Sequence, residues 1–401
     1  MPAPAAAGGS YRAVLRLPFA LRVFVPALGG RLAYGLLPLA TLFTVQQTTG
    51  SYARAGLALA AFGLASITLP LKSRLTDRHG PRRVLPLLAL ACALLLAAAA
   101  LTPWPVVFVA LAGLAAPPLG PAMRSTWRTL TQGTALKERA YALDATAEET
   151  LYLVGPLLAG LLIGLAPARW SLLLTAALLL LGTLGMAAPR LPDSLAPPAG
   201  SRAVHWARRA FDPGPLRSAG LLRVLGVLLV TGAAINVGQT AMAAVAQSHG
   251  RPGAAGLLEA GLGAGSVLGG MLWARRRHTR PRSRHFAGLL AVLGAGLLAA
   301  AAAPGLLALG AVMSVAGMAI APLYVIAYLA ADDLAPAGHG TEAGTWINVA
   351  ANAGSALGAA AAGVITDAAG PSPAFLGAGV LLMATAVGAR WRGRTVYSRP
   401  A

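Results

Sequence analysis

The stretch Ser73-Arg74-Leu75-Thr76-Asp77-Arg78-His79-Gly80-Pro81-Arg82-Arg83 connects two long apolar runs, Ala53 to Leu71 and Val84 to Leu101. A helix needs about 20 mostly apolar residues to cross the hydrocarbon core of a bilayer, and both runs approach that length. The stretch between them is rich in arginine, and Asp77 is its sole acidic residue. The sequence therefore predicts a basic connection between two membrane-spanning helices.

The composition of the whole chain agrees with this prediction. Hydrophobic residues make up 57% of the 401 residues and charged residues only 11%, whereas charged residues make up about a quarter of a soluble domain. A soluble globular protein is thereby excluded. The formal net charge of +20 would suggest a nucleic-acid partner in a soluble chain. In so apolar a chain it favours contact with membrane lipids instead, and we expect no nucleic-acid partner.

Apolar runs of spanning length recur along the chain and predict an all-α membrane protein with twelve transmembrane helices. Their approximate limits are Val23 to Val45, Ala53 to Leu71, Val84 to Leu101, Pro105 to Met123, Ala140 to Leu165, Trp170 to Ala188, Gly220 to Val245, Ala254 to Ala274, Phe286 to Ala303, Gly305 to Leu329, Glu342 to Thr366 and Pro373 to Ala389.

A hydrophilic stretch rich in proline and arginine divides these runs into two bundles of six. We expect a cytoplasmic tail over 1–22, an N-terminal bundle over 23–188, a cytoplasmic linker over 189–219, a C-terminal bundle over 220–389 and a cytoplasmic tail over 390–401. The bundles also share residue types at an offset of 200, as Gly56 with Gly256 and Gly63 with Gly263 show. Parallel repeats of this kind favour a transporter in which two bundles rock around a central site.

Basic residues are distributed unequally between the two sides of the predicted membrane. Connections and helix ends on one side collect 28 of the 32 lysines and arginines, and the other side has three, Arg54, Arg169 and Arg251. Cytoplasmic loops carry the excess of basic residues in membrane proteins. Both termini are therefore predicted to be cytoplasmic, in a multi-pass protein of the cell membrane.

The Ser73–Arg83 connection resembles the loop signature G-x-L-x-D-R-x-G-R-R of the major facilitator superfamily. Asp77, Arg78, Gly80 and Arg82 match the signature, while Ser73 replaces its first glycine. The resemblance implies that these residues form a gating lock, in which the carboxylate accepts hydrogen bonds from a facing helix N-terminus and the arginines pair with acids. The alternative is a charged loop that serves topology alone.

The fifth run carries a shorter match to the same superfamily. The stretch Gly155-Pro156-Leu157-Leu158-Ala159-Gly160 is similar to a signature found in its proton-coupled exporters, with Ala159 departing from the pattern. The resemblance implies that Gly155, Pro156 and Gly160 permit close packing and a bend in the helix. It also implies a drug/proton antiporter-like activity. The fourth run lacks the basic motif of many drug exporters, so the direction of transport stays open.

Ionisable residues inside predicted spans are costly and therefore mark functional positions. Proton-coupling candidates are Arg31, Asp144, Glu148, Glu149 and Glu259. Arg31 and Glu148 each lie eight residues into their runs, roughly 12 Å from the cytoplasmic edge, so that they can pair. We favour Glu148 over Glu149 as the partner. Two alternatives remain: the fifth helix enters the membrane only at Thr150, or Glu259 lies at the external end of its helix.

Uncharged polar residues suggest a substrate cavity. In the superfamily, helices one, four, seven and ten line the cavity, and the resemblance points Tyr34, Asn236, Gln239, Tyr324 and Tyr328 towards it. The alternative for the amides is hydrogen bonding between helices.

The residues favour a secondary active transporter that exports a small amphiphilic or drug-like compound in exchange for protons. A proton-coupled importer of a polar metabolite is the alternative. An integral-membrane enzyme would need a polar cluster at one membrane face, for which His339 with Asp332 and Asp333 is the one weak candidate. No nucleotide-binding motif, metal-ligand spacing or cofactor motif is found in the sequence. We expect substrate, protons and lipids as partners, and a monomer.

Overall fold

A computed structural model describes residues 11–134, 136–189, 214–275, 281–334 and 340–396. Regular structure in these ranges is helical, and we number the α-helices α1 to α16. They are α1 Tyr11–Leu15, α2 Ala20–Thr49, α3 Tyr52–Leu64, α4 Leu69–His79, α5 Pro81–Leu101, α6 Pro105–Ala115, α7 Leu119–Leu130, α8 Lys137–Leu165, α9 Arg169–Ala187, α10 Ala219–Ser248, α11 Ala254–Arg275, α12 Arg282–Ala300, α13 Leu306–Gly317, α14 Ile320–Leu334, α15 Gly340–Ala369 and α16 Pro371–Val396.

Eleven helical segments of the described chain are long and apolar enough to cross a membrane. The prediction of twelve differs at the second run, Ala53 to Leu71. There α3 ends at Leu64, a 3₁₀ turn covers Ala65–Thr68, and α4 begins at Leu69. The continuous apolar helix, Tyr52–Thr68, is shorter than the other eleven. Proline in the first turn of α4 has no N–H to continue the preceding α-helical ladder, so a new helix starts at that point.

Two of the predicted spans are interrupted helices. The fourth run is divided between α6 and α7 at Ala116-Pro117-Pro118, and the tenth between α13 and α14 near Met318. Proline disfavours helical geometry at the residue before it, which accounts for the break after Ala115. The Nζ of Lys72 donates to the carbonyl of Gly113 at 3.2 Å, so one carbonyl near the end of α6 is satisfied by a neighbouring helix.

The ends of several elements differ from the prediction. The predicted N-terminal tail contains α1 and the first residues of α2, which begins at Ala20. Residues 190–213 of the predicted linker lie outside the described residues. The last predicted run stops at Ala389, whereas α16 continues to Val396. Helices therefore extend beyond the apolar runs that identify them.

Each half of the chain packs as a bundle around its first long helix. In the N-terminal half, α1 to α9, the helix α2 lies against α8 and α9, and in the C-terminal half, α10 to α16, the helix α10 lies against α15 and α16. The halves contact each other most extensively through two pairs, α3 with α15 and α8 with α11. Trp127 is fully buried in the N-terminal half, with its ring 5.2 Å from that of Phe24 in an edge-to-face arrangement.

Candidate functional site

Two glycines bring α2 and α8 together. A Cβ atom on Gly155 would lie 2.5 Å from the Cα of Gly35, and one on Gly35 would lie 2.7 Å from the carbonyl oxygen of Leu151. Only glycine allows backbones to approach this closely. The contact fixes how the two helices are aligned along their axes. Arg31, one turn before Gly35, is therefore level with Glu148, one turn before Leu151.

A buried ion cluster lies next to this contact, one turn nearer the N-terminus of both helices. The Nη1 of Arg31 donates to Oδ1 of Asp144 at 2.6 Å, and Nη2 lies 2.7 Å from Oε2 of Glu148. Arg31 and Asp144 are 5% and 2% exposed, so both charges are removed from solvent. The structure thus brings together the predicted pair Arg31 and Glu148 and places Asp144 on the same guanidinium. One turn of α8 separates the two acids, which share a helix face.

Glu148 differs from Asp144 in its surroundings. Its side chain is 30% exposed, and Arg124 lies 3.9 Å from its carboxylate. Gly120, in the first turn of α7, also lies beside this carboxylate. The positive end of a helix favours an anion there. A cavity of about 40 Å³ opens next to Glu148. Its lining residues are Arg31, Tyr34, Gly120, Glu148, Leu151 and Tyr152.

Tyr34, which the sequence analysis predicts as a cavity residue, lines this small cavity. It also forms a hydrogen bond with the break between α6 and α7. Its hydroxyl donates to the carbonyl of Pro117 at 2.7 Å. The break between α6 and α7 exposes carbonyls that must be satisfied inside a membrane protein. Tyr34 therefore links α2, which carries Arg31, to the helix that supplies Arg124 and Gly120.

The other two coupling candidates are Glu149 and Glu259. The structure describes the backbone of Glu149 in α8 but not its side chain. Glu259 is 9% exposed on α11. It lies between Gly256 and Gly263, which pack against Pro156 and Leu153 of α8. In the part of the chain that the structure describes, no ion pair reaches Glu259.

Two of the four predicted cavity residues of the C-terminal half, Asn236 and Tyr328, form hydrogen bonds between helices. The Nδ2 of Asn236 donates to the hydroxyl of Ser355 at 3.0 Å, joining α10 to α15. The hydroxyl of Tyr328 donates to Oδ1 of Asn348 at 2.7 Å, joining α14 to α15. These contacts correspond to the alternative role given to the amides. Gln239 and Tyr324 are half-buried on α10 and α14.

The loop signature folds differently from an irregular connection. Its first seven residues continue α4 to His79, and α5 begins at Pro81, so that Gly80 alone joins the two helices. Gly80 has φ +84°, a conformation that favours glycine. Arg78 and Arg82 are exposed. The backbone of Asp77 lies in α4, while its side chain is outside the described part of the structure.

The second signature lies where α8 meets both α2 and α11. α8 runs through Pro156 as one helix, Lys137–Leu165. A Cβ on Gly160 would lie 2.6 Å from the carbonyl oxygen of Gly253, and one on Gly256 would lie 2.2 Å from that of Pro156. Gly155 faces α2 in the same half, and Gly160 faces the other half. The motif thus has backbone contacts on two sides.

Sequence reasoning missed a polar contact between the halves at the N-terminus of α3. Asp367, near the end of α15, accepts a hydrogen bond from the hydroxyl of Ser51 at 2.6 Å. It also accepts from the amides of Tyr52 at 2.7 Å and Ala53 at 2.8 Å. The available signals were an acid just beyond the eleventh apolar run and a serine at the start of the second helix.

The weak enzyme candidate in the sequence consists of His339, Asp332 and Asp333. His339 lies outside the described residues, as does the side chain of Asp332, and Asp333 pairs with Arg282 on α12. Across the described ranges, no group of three or more His, Cys, Asp or Glu residues is arranged to hold a metal ion.

A bundle of long apolar helices with charges buried between two of them, beside an interrupted helix, is the architecture of a membrane transporter. The family model of the Major Facilitator Superfamily matches residues 24–350, and the chain belongs to this family. No curated protein matches the chain in sequence.

Solved structures agree on the fold. The nucleoside transporter NupG superimposes with a TM-score of 0.73 and 14% identity, covering 95% of this chain and 99% of that chain. A bacterial homologue of the human lysosomal transporter Spinster, in an inward-facing and unoccupied conformation, gives 0.70 and 16%, covering 98% and 100%. An auto-inhibited peptide transporter of the POT family gives 0.69 and 14%, covering 95% and 98%. Identities this low show the fold alone.

Proposed function

We propose that this protein is a proton-coupled exporter of a small amphiphilic or drug-like compound, working by alternating access in the cell membrane. The observation that carries the proposal is the cluster of Arg31, Asp144 and Glu148, in which two acids share one buried guanidinium. Buried charges of this kind are expensive in a membrane and mark proton and substrate pathways. Membership of a transporter family supports the transport itself.

The proposed topology has twelve spans with both termini in the cytoplasm. The charge division in the sequence supports the orientation, and α3, the 3₁₀ turn and α4 together supply the second span despite its interruption. In this orientation the contacts of α3 with α15 and of α8 with α11 lie in the external half of the membrane. The halves meet there through glycines such as Gly56, whose Cβ would lie 2.1 Å from the Ala359 carbonyl oxygen. The structure then represents a state closed to the outside.

Glu148 is the proposed proton carrier. Its side chain is 30% exposed and lines the small cavity, whereas the side chain of Asp144 is 3% exposed. A movement that separates Glu148 from Arg31 would remove its nearest counter-charge and favour protonation, because a low-dielectric site disfavours a weakly paired carboxylate. Asp144 would keep Arg31 neutralised during that movement. One acid would therefore titrate while the other holds the arginine.

The loop signature and the glycine motif have supporting roles in this proposal. Asp77 would lock the cytoplasmic side by accepting from the N-terminal amides of α15, with Arg78, Gly80 and Arg82 shaping the turn between α4 and α5. Gly155, Pro156 and Gly160 would let α8 move against both of its neighbours. The lock and the glycine contacts then belong to opposite ends of the same rocking motion.

The proposed substrate cavity lies between the halves. Tyr34 borders it from α2, while Gln239, Tyr324 and Tyr328 border it from α10 and α14. The tyrosines offer apolar rings with polar ends, which suits an amphiphilic compound. The competing proposal is a proton-coupled importer of a polar metabolite, which the same cluster could also drive. We propose that one copy of the chain is sufficient, with lipids, substrate and protons as its partners.

Transport in everted and right-side-out vesicles under an imposed pH gradient tests the proposal, using a panel of amphiphilic compounds. We expect gradient-driven accumulation in everted vesicles, since their interior corresponds to the outside of the cell. Glu148→Gln should reduce this accumulation at least tenfold while preserving equilibration of substrate down its own gradient. The neutral amide cannot exchange a proton but retains the size of the side chain.

Glu149→Gln is the matched control, because it removes the adjacent acid, whose backbone position lies about 100° further around the same helix. We expect it to retain most of the accumulation. If both variants accumulate substrate fully, the proton site is elsewhere, and Glu259→Gln is the next variant to measure. Accumulation confined to right-side-out vesicles would contradict the proposed export and support the competing proposal of import.

A further inference from the structure

The contact between Asp367 and the start of α3 satisfies several groups with one carboxylate. Oδ1 accepts the amide of Tyr52 at 2.7 Å, and Oδ2 accepts the amide of Ala53 at 2.8 Å and the hydroxyl of Ser51 at 2.6 Å. Ser51 in turn accepts the amide of Arg54 at 3.1 Å. The first amides of a helix have no partner within the helix and form its positive end. A carboxylate that binds two of them is a charge-assisted cap.

The cap belongs to the other half of the molecule, which distinguishes it from an ordinary helix cap. Asp367 is the third residue from the end of α15, and it is separated from Ser51 by 316 positions in sequence. A helix can be capped by its own preceding side chain, and Ser51 already occupies that position. Ser51 accepts only the amide of Arg54, so the amides of Tyr52 and Ala53 take their acceptor from the other half.

Backbone packing next to the cap makes the contact specific to one arrangement of the halves. A Cβ on Gly363, one turn before Asp367, would lie 2.2 Å from the carbonyl oxygen of Tyr52. The hydrogen bonds form only while this close approach holds, because distances between charged donors and acceptors must stay below about 3 Å. Any separation of α3 from α15 at this end breaks all three bonds.

We infer that Asp367 is a latch that holds the two halves together on the external side and must release each time the protein opens outwards. The inference rests on the proposed alternating-access function. Asp367 binds the N-terminus of α3 at the external end, just as Asp77 is proposed to bind the N-terminus of α15 at the cytoplasmic end. Ser51, Tyr52 and Ala53 form the receiving end of the latch.

Distance measurement between spin labels tests the latch. Cysteines replace Thr48 at the end of α2 and Ser248 at the end of α10, in a Cys92→Ala background, so that each half carries one label near the latch. Asp367→Asn removes the charge and one acceptor oxygen. We expect it to raise the ratio of long to short distances about fivefold, since charge-assisted hydrogen bonds contribute more than neutral ones. Ser51→Ala removes one bond of three and should give about a twofold rise.

Asp333→Asn serves as the control, because it neutralises an exposed acid that pairs within the C-terminal half. Its distances should match those of the parent. Distributions for Asp367→Asn that superimpose on the parent's would overturn the latch. The measurement needs no substrate, so the parent's proton-driven flux in vesicles reports separately on the proposed function. A latch that releases in Asp367→Asn stands even if that flux is absent.

Discussion

The first and second halves of the chain use different chemistry on corresponding helices, α2 and α8 in the first half and α10 and α15 in the second. At an offset of 200 in sequence, Arg31 aligns with Thr231 and Glu148 with Asn348. Arg31 binds two acids across the contact between α2 and α8. Thr231 donates within its own helix to the Val227 carbonyl at 2.8 Å, and Asn348 accepts from Tyr328. One half carries a buried ionic cluster, and the other carries neutral hydrogen bonds.

This difference indicates a division of labour between two bundles of the same architecture. A buried ion cluster changes its energy strongly when one partner gains a proton or moves away, since charges interact over longer distances than dipoles in a medium of low dielectric constant. Neutral hydrogen bonds respond little to pH. In the proposed mechanism, the N-terminal half would therefore couple protons, and the C-terminal half would hold its helices together while the halves move.

Removal of the arginine and of its repeat equivalent gives the largest expected contrast. Arg31→Ala leaves Asp144 buried without a counter-charge, which should lower the free energy of unfolding by about 3 kcal/mol or more. Thr231→Ala removes a bond within one helix and should cost about 1 kcal/mol or less. Equilibrium unfolding in mixed micelles at neutral pH measures both. Equal losses in the two variants would remove the distinction between the halves.

The second comparison is between the two acids of the cluster, which should contribute unequally to the free energy of unfolding. Asp144→Asn removes the enclosed partner of Arg31 and should cost about 2 kcal/mol, because a buried charge loses a charge-assisted hydrogen bond. Glu148→Gln should cost less than half of that, since its side chain is partly solvated and Arg124 is nearby. The same unfolding assay ranks them. The reverse order would make Glu148 the structural acid and Asp144 the one available to titrate.

A neutral contact of the C-terminal half should give the smallest effect. Asn236→Ala removes the bond to Ser355 and should cost about 1 kcal/mol, with substrate flux within about twofold of the parent. Combined with Ser355→Ala, it should show a coupling energy of about 0.5 to 1 kcal/mol. The double-mutant cycle and the vesicle assay check the two parts. A tenfold loss of flux would place Asn236 in the substrate pathway rather than in the scaffold.

Much of the helical framework was predictable, because each long apolar run identifies its helix without reference to the others. The sixth run, Trp170 to Ala188, corresponds to α9 at Arg169–Ala187 within one residue at each end. The second run was less predictable. Its apolar length suggests one straight span, whereas proline at the start of α4 and the 3₁₀ turn divide it. Hydropathy measures composition over a window and is insensitive to a break in the hydrogen-bond ladder.

The charged site was predictable in part. Equal depth along two helices predicted that Arg31 can meet Glu148, and both residues belong to the cluster. The same argument did not identify Asp144 as a partner of Arg31, although its Oδ1 lies 2.6 Å from Nη1 of the guanidinium. The roles of the amides were left open, and Asn236 proves to bond another helix. Depth is a property of one helix, but contact also needs the rotation of both helices about their axes.

Sequence by itself determined the membrane class, the all-helical character of the chain and the resemblance to the family to which the chain belongs. These properties depend on local composition and on short motifs. The apolar composition of a segment decides by itself whether that segment moves from water into lipid. Tertiary structure alone decided that two acids share Arg31 and that Asp367 caps the opposite half. Such contacts join residues far apart in sequence, and they exist only where glycines let particular helices approach at one height and one rotation.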